Sequence, residues 1–120
     1  MSTKPLGDRG EELAARHLAA AGWTVVARNF RMGRKEIDLV ARRGGVVAFV
    51  EVKTRAGLGY GHPLEAIGWK KRREIQQVAA AWIARHGTAA DETYRFDAVA
   101  VLVFAGREPK VEHVEDAWRM

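Results

Sequence analysis

The 120-residue chain contains no cysteine. This excludes disulfides, thiolate nucleophiles, iron–sulfur clusters and Cys-ligated zinc. Serine occurs once, at Ser2, which leaves almost no room for a serine nucleophile. Long apolar runs are missing too. The longest, Ala98 to Ala105, falls far short of the roughly 20 residues a membrane helix requires. The stretch from Met1 to Gly7 has no apolar segment of the signal-peptide kind, so a cytoplasmic protein with no membrane partner is expected. Acids are in deficit: 15 Asp and Glu face 20 Lys and Arg, a net charge of +5. A basic chain without side-chain nucleophiles but with acids and bases points to a polyanionic partner and to metal-activated water or acid–base chemistry.

What is present describes one globular domain. Apolar residues make up 48% and charged residues 29%, ordinary values for a packed soluble chain. Residues 1–6 are expected as a tail, and 7–120 as a single domain. Asp8, three residues before Glu11, has capping-box spacing, and Leu13, Ala14, His17, Leu18 and Ala21 form a helical stripe ending at Gly22. Trp23 to Ala27 is β-rich, and Arg28 to Lys35 reads as a basic connection. Strands are expected over Glu36–Arg42 and Val46–Thr54, joined by Gly44-Gly45, a strong hairpin signal. Glycines at 57, 59 and 61 mark a loop. Pro63 opens a helix reaching about Arg85, Tyr94–Phe104 is a further strand, and Lys110–Val114 a short edge strand. The order α-β-β-β-α-β predicts an α/β fold, a central mixed sheet flanked by helices. Ile37, Leu39 and Ala41 are expected on one face, Val40 and Phe49 on the other.

Charges interrupt these buried strands. Asp38 divides Ile37 from Leu39, and Glu51 and Lys53 break the run from Phe49. A charge in a buried strand is costly unless paired or metal-bound. A two-residue turn at Gly44-Gly45 sets Arg43 opposite Val46, and the same register sets Asp38 opposite Glu51. Directly opposed side chains have Cβ atoms about 4.5–5.5 Å apart. Lys53, two residues on from Glu51, shares its face. Two carboxylates that close repel unless a cation lies between them, and hard oxygen ligands suit Mg²⁺ or Mn²⁺. The competing reading is a cross-strand ion network, with Lys53 neutralising Glu51 and Asp38 bonded to Arg55 or a backbone amide.

Asp38 followed by Glu51-Val52-Lys53 resembles the PD-(D/E)XK restriction-endonuclease-like superfamily. The wider text is more similar still to the small bacterial YraN-like family, itself similar to archaeal Holliday-junction resolvases. The matching residues are Gly10-Glu11, Ala14, Leu18 and Gly22, then Asn29-Phe30-Arg31, Glu36-Ile37-Asp38-Leu39 and Phe49 to Arg55. Gly61, Pro63, Lys70 and Arg95-Phe96-Asp97 complete the set. Lys35 stands where the family usually has glycine. The resemblance implies a restriction-endonuclease-like core and a metal-dependent endonuclease hydrolysing phosphodiester bonds, on branched or structured DNA. It makes Asp38 and Glu51 metal ligands, Glu11 the helix glutamate that completes the acidic site, and Lys53 the catalytic lysine. Related resolvases are dimers, so a homodimer is an expectation.

Between Arg28 and Arg73 twelve Lys or Arg face four acids, a local excess of eight that reads as a phosphate track. Arg31, Arg55, Lys70, Lys71 and Arg73 are its candidate contacts, with DNA ahead of RNA as partner. Trp69 and Trp82 read as packing residues, with base stacking by Trp69 the alternative. Two other functions stay open: a non-catalytic nucleic-acid-binding module of the same fold, and a structural protein whose acidic cluster is an ion network.

Overall fold

The computed structural model describes residues 4–57, 62–87 and 91–119. Its elements are α1 (Lys4–Ala20), β1 (Thr24–Met32), β2 (Lys35–Arg43), β3 (Val46–Ala56), α2 (Trp69–His86), β4 (Thr93–Val103) and β5 (Lys110–Trp118), with a single 3₁₀ turn at Pro63–Ala66 before α2. The five strands form one sheet in the order β1-β2-β3-β4-β5. Only β3 and β4 run parallel, joined by the α2 crossover, and the other neighbours are antiparallel. The architecture is α/β with a mixed sheet, compatible with a nuclease-like core. The edge strand expected at Lys110–Val114 is present as β5 and runs four residues further, to Trp118. No helix among the described residues is long and apolar enough to cross a membrane.

The sheet is covered on both faces, which explains its apolar strands. Ala14, Ala15 and Leu18 of α1 pack on Leu39, Ala41, Ala48, Val50, Val52, Val99 and Val101. Ile75, Val78, Ala79 and Trp82 of α2 pack on Val40, Val47 and Phe49. The Gly44-Gly45 turn sets the expected register: Arg43 faces Val46, Val40 faces Phe49 and Leu39 faces Val50.

Several boundaries differ from expectation. Helix α1 begins at Lys4, so Lys4, Pro5 and Leu6 are helical and not a tail, and Asp8 lies inside the helix instead of capping it. Pro5 suits a first helical turn, where its missing N–H has no partner to lose. His17 and Ala21 are exposed, and the buried stripe is Gly10, Ala14, Ala15 and Leu18. Strand β1 continues through the presumed basic connection to Met32, because Gly33 (φ 64°) and Arg34 close a second two-residue hairpin that sets Met32 against Lys35. Helix α2 starts at Trp69 and not at Pro63. Gly59 and Gly61 lie outside the described residues; Gly57 has φ 77°.

Ile37 is the instructive departure. It packs with the α2 cluster, not with Leu39 and Ala41. The alternation fails at Asp38, where the β2–β3 ladder stops and Asn29, across on β1, adopts φ 50°.

A second buried acid, Asp97 on β4, is fully enclosed. Arg95 donates from Nε and Nη2 at 2.8 and 2.9 Å, His113 Nε2 lies at 2.8 Å, and the Asp116 N–H donates at 3.0 Å. Asp116 reaches it through a left-handed φ of 52°, at an irregularity in the β4–β5 ladder. Burial alone would raise this carboxyl, but the His113, Arg95 and Asp116 hydrogen bonds outweigh it and hold the group below the usual aspartate range. A depressed acid contributes stability that is present above its ordinary pKa and lost as pH falls through its folded value. Asp97→Asn should therefore lower stability by about 3–5 kcal/mol at pH 7. It should also flatten the acid limb of stability below about pH 4. Urea unfolding of both proteins from pH 7 to pH 3 measures both effects.

Candidate active site

The acidic site lies where β2 and β3 part. In the hairpin register Asp38 is the next position after Leu39, opposite Glu51, yet the ladder ends one step earlier. Instead, the Asp38 carboxylate accepts the Val52 N–H at 2.8 Å. A side chain thus replaces a backbone acceptor, and this pins Asp38 in the gap between the strands.

Glu51 shares its face with Val47 and Phe49, the face beneath α2, and only 3% of it is exposed. Its cationic neighbour is Lys71 of α2, whose Nζ lies 3.5 Å from Oε2. That is too long for a good hydrogen bond, and Oε2 is left without a hydrogen-bond partner. Burial, then a hydrogen bond with Asp38 and its charge, push the Glu51 carboxyl up to about 9 against the weaker pull of Lys71 and Lys53.

Glu11 approaches from the α1 side. Gly10 permits this, because a Cβ there would collide with the Thr54 side chain of β3. With no Cβ in the way, α1 settles on β3 and brings the next residue to the strand ends. Glu11 Oε1 is also buried without a partner. Burial, then the charges of Asp38, Glu36 and Asp8, raise its carboxyl to about 7, against a smaller lowering by Arg28. Glu11, Asp38, Lys53, Thr54 and Arg55 line one cavity of about 350 Å³, with Leu6, Gly7, Val52 and Ala56. Glu51 adjoins it through Asp38.

Four expected site residues therefore meet: Glu11, Asp38, Glu51 and Lys53. Among the described residues no three Asp, Glu or His side chains form a ready-made metal cluster. The close pair is Asp38 and Glu51, with Glu11 facing Asp38 across the cavity. The competing ion network is realised only in part. Asp38 does bond a backbone amide, but Glu51 faces Lys71, a pairing no sequence spacing announced, and both glutamates keep an orphaned oxygen.

The basic candidates separate. Arg55 lines the cavity. Arg31 is bound to Glu36 at 3.1 Å. Lys70 and Arg73 are exposed on the first turns of α2, and Lys71 points to Glu51. The motif Arg95-Phe96-Asp97 belongs to the satisfied network on β4 and not to this site. Lys35, in the place usually held by glycine, starts β2 with regular pairing and donates to Gln77 of α2.

A family model described as "Uncharacterised protein family UPF0102" matches residues 10–101. The chain belongs to this family. It is similar to the UPF0102 protein of Rhodococcus jostii (strain RHA1), 47% identical over 113 residues that cover 94% of this chain and 95% of that protein. The UPF0102 protein of Chlorobaculum tepidum is 45% identical over 121 aligned residues, 94% of this chain and 91% of its own. That of Geobacter sulfurreducens is 42% identical over 117, 98% and 91% respectively. The match to the UPF0102 model takes in Gly10, Glu11, Asp38, Glu51, Lys53 and Arg55 together, while Leu6 and Gly7 of the cavity wall precede it.

Two consequences can be measured. An acid with a raised folded pKa favours folding while protonated, so stability falls as pH rises from about 4.5 towards 9 for Glu51. Glu51→Gln cannot ionise in the unfolded chain and escapes this loss, so it should stabilise the chain at pH 8 by a few kcal/mol, each pKa unit of difference being worth about 1.4 kcal/mol. It should change stability little at pH 5, and pH-resolved denaturant unfolding compares the two. Gly10→Ala should force α1 away from Thr54 and cost about 1–3 kcal/mol, as overpacked sites do.

Proposed function

We propose that this chain is a metal-dependent nuclease that hydrolyses phosphodiester bonds at the Glu11–Asp38–Glu51–Lys53 site. The observation that carries this reading is the unsatisfied acidity of the site. Two buried glutamate oxygens lack partners, and both carboxyls are driven above their usual range. An ion network built for stability would have satisfied them, as the network around Asp97 does.

The donor set fits a hard divalent cation. Mg²⁺ binds through one or two carboxylates and completes its shell with waters and phosphate oxygens. Asp38 and Glu51 would supply those carboxylates, and Glu11 Oε1 is available across the cavity. When bound, such a cation supplies Lewis acidity and an activated water.

The chain's own groups do the rest. The Val52 N–H fixes the Asp38 carboxylate against rotation. Lys53 places a cation at the cavity wall, where it counters charge developing on a phosphate. Glu11, poised near neutral pH, can hold or release a proton at Oε1 beside the same space. Arg55 on the cavity wall can grip a phosphate through paired N–H donors. Lys70 and Arg73, exposed beside Lys71, extend the positive surface for a longer polyanion. The resolvase-like resemblance favours branched or structured DNA as substrate.

Incubation of the chain with branched, flapped and linear DNAs and with RNA, in Mg²⁺ or Mn²⁺, tests this. Cleavage should require the metal and fall at least about 100-fold in Glu51→Gln, Asp38→Asn and Lys53→Ala. The metal alone should raise the melting temperature of the wild type at pH 8, by mass action on the folded state, and not that of Glu51→Gln. Salt-sensitive DNA binding with no cleavage of any substrate would leave the binding-module reading in place of this one.

A further inference from the structure

Trp69 is the outlier of the surface. It is the first residue of α2 and is 69% exposed, whereas Trp23, Trp82 and Trp118 are 3%, 3% and 6% exposed. The packing role expected for it is therefore met by Trp82 alone. An indole left in water forgoes the burial that large aromatic side chains normally gain.

Its surroundings are cationic. The Arg73 guanidinium, one turn along the helix, lies 5.8 Å from the ring centroid, within the range of a cation–π contact. Lys70 follows directly and is exposed. Lys71, two residues from Trp69, reaches Glu51 at 3.5 Å. A flat apolar face flanked by cations thus lies within one helical turn of the residue that touches the acidic site.

We propose that Trp69 is a stacking platform for an unpaired base of a nucleic-acid strand bound at this site. The inference rests on the proposed function and adds a substrate class to it. Aromatic faces stack on bases of any sequence, while cations beside them hold the backbone. Bases within a duplex already stack on one another, so an exposed ring selects a single-stranded segment, a flap or an opened junction. An apolar protein partner fits less well, because Lys70 and Arg73 would have to be desolvated beside it.

The test is metal-free binding of the full chain, with EDTA, to a labelled oligo-dT strand and to a blunt-ended, two-stranded duplex of equal length, read by anisotropy. Trp69→Ala should weaken single-strand binding by about 5–150-fold, the equivalent of roughly 1–3 kcal/mol for one stacked base. Trp69→Phe should restore most of it, and duplex binding should change by less than about twofold. The oligo-dT strand should quench wild-type tryptophan emission and leave that of Trp69→Ala unchanged. Equal losses on both ligands, or no loss on the single strand, would overturn the platform. Failure of the wild type to bind either ligand would overturn the nucleic-acid reading and the platform with it. Strand-selective binding without cleavage would support the platform while removing the nuclease.

Discussion

A carboxyl group buried in a sheet must be paired, protonated or bound to a cation, and two neighbouring strands here answer that demand in opposite ways. Asp97 on β4 lies in register with Val50, one residue from Glu51 on β3. It is surrounded by Arg95, His113 and the Asp116 N–H and is held below its usual range. Glu51 is nearly as buried, faces a second carboxylate, feels only the weaker pull of Lys71 at 3.5 Å and of Lys53, and is pushed up to about 9. Burial penalises the charged form of both. The difference lies in the donors supplied, so low solvent access alone cannot account for the state of Glu51.

The unsatisfied group is assembled by backbone devices that a regular sheet would lack. The β2–β3 ladder ends at Leu39 and Val50, and the Asp38 carboxylate takes the Val52 N–H. This side-chain bond holds the fork open and brings Asp38 between the two faces. Glu11 reaches it from the α1 side because Gly10 lets that helix press on Thr54. Glu51 meets it from the α2 side, where Lys71 stands guard over one oxygen. Helices on both faces thus do more than cover the sheet; each contributes one polar residue to the place where its strands separate.

Much of this was legible because turn chemistry fixes register. Gly44-Gly45 permits a two-residue turn, and counting from it gives the observed pairing as far as Leu39 and Val50; it also sets Asp38 opposite Glu51, a pair the ladder does not reach. The two-sided apolar runs likewise announced helices above and below. Local pattern failed where a tertiary partner decides. Arg28 to Met32 looks like a polar connection, but pairing with β2 makes it strand. Ile37 left its expected face at the point where the β2–β3 ladder gives way to the Val52 N–H bond to the Asp38 side chain, a non-local contact that alternation along β2 does not reveal. The Lys71 contact with Glu51 joins two elements through a crossover, and no spacing along the chain encodes it. The exposure of Trp69 was hidden for the same reason: its apolar character suggests a core, and only the packed α2 shows that Trp82 fills that role.

The excess of positive charge also takes on a different shape once folded. Several of the basic residues between Arg28 and Arg73 are bound to acids elsewhere in the fold. Arg28 pairs with Glu12, Arg31 with Glu36, Arg42 with Glu92 and Arg43 with Glu115. Arg72 donates to the Ile67 carbonyl and lies over Trp118, which fastens the start of α2. Exposed pairs of this kind contribute little to stability, but they cancel much of the field that the sequence total suggests. The cations left near the acids are Lys53 and Arg55 on the cavity wall and Lys70, Lys71 and Arg73 at the start of α2. A polyanion drawn to that remainder is led to the fork of the sheet and not along the whole basic stretch, so the electrostatics favour a local grip on a few phosphates beside the buried carboxyls.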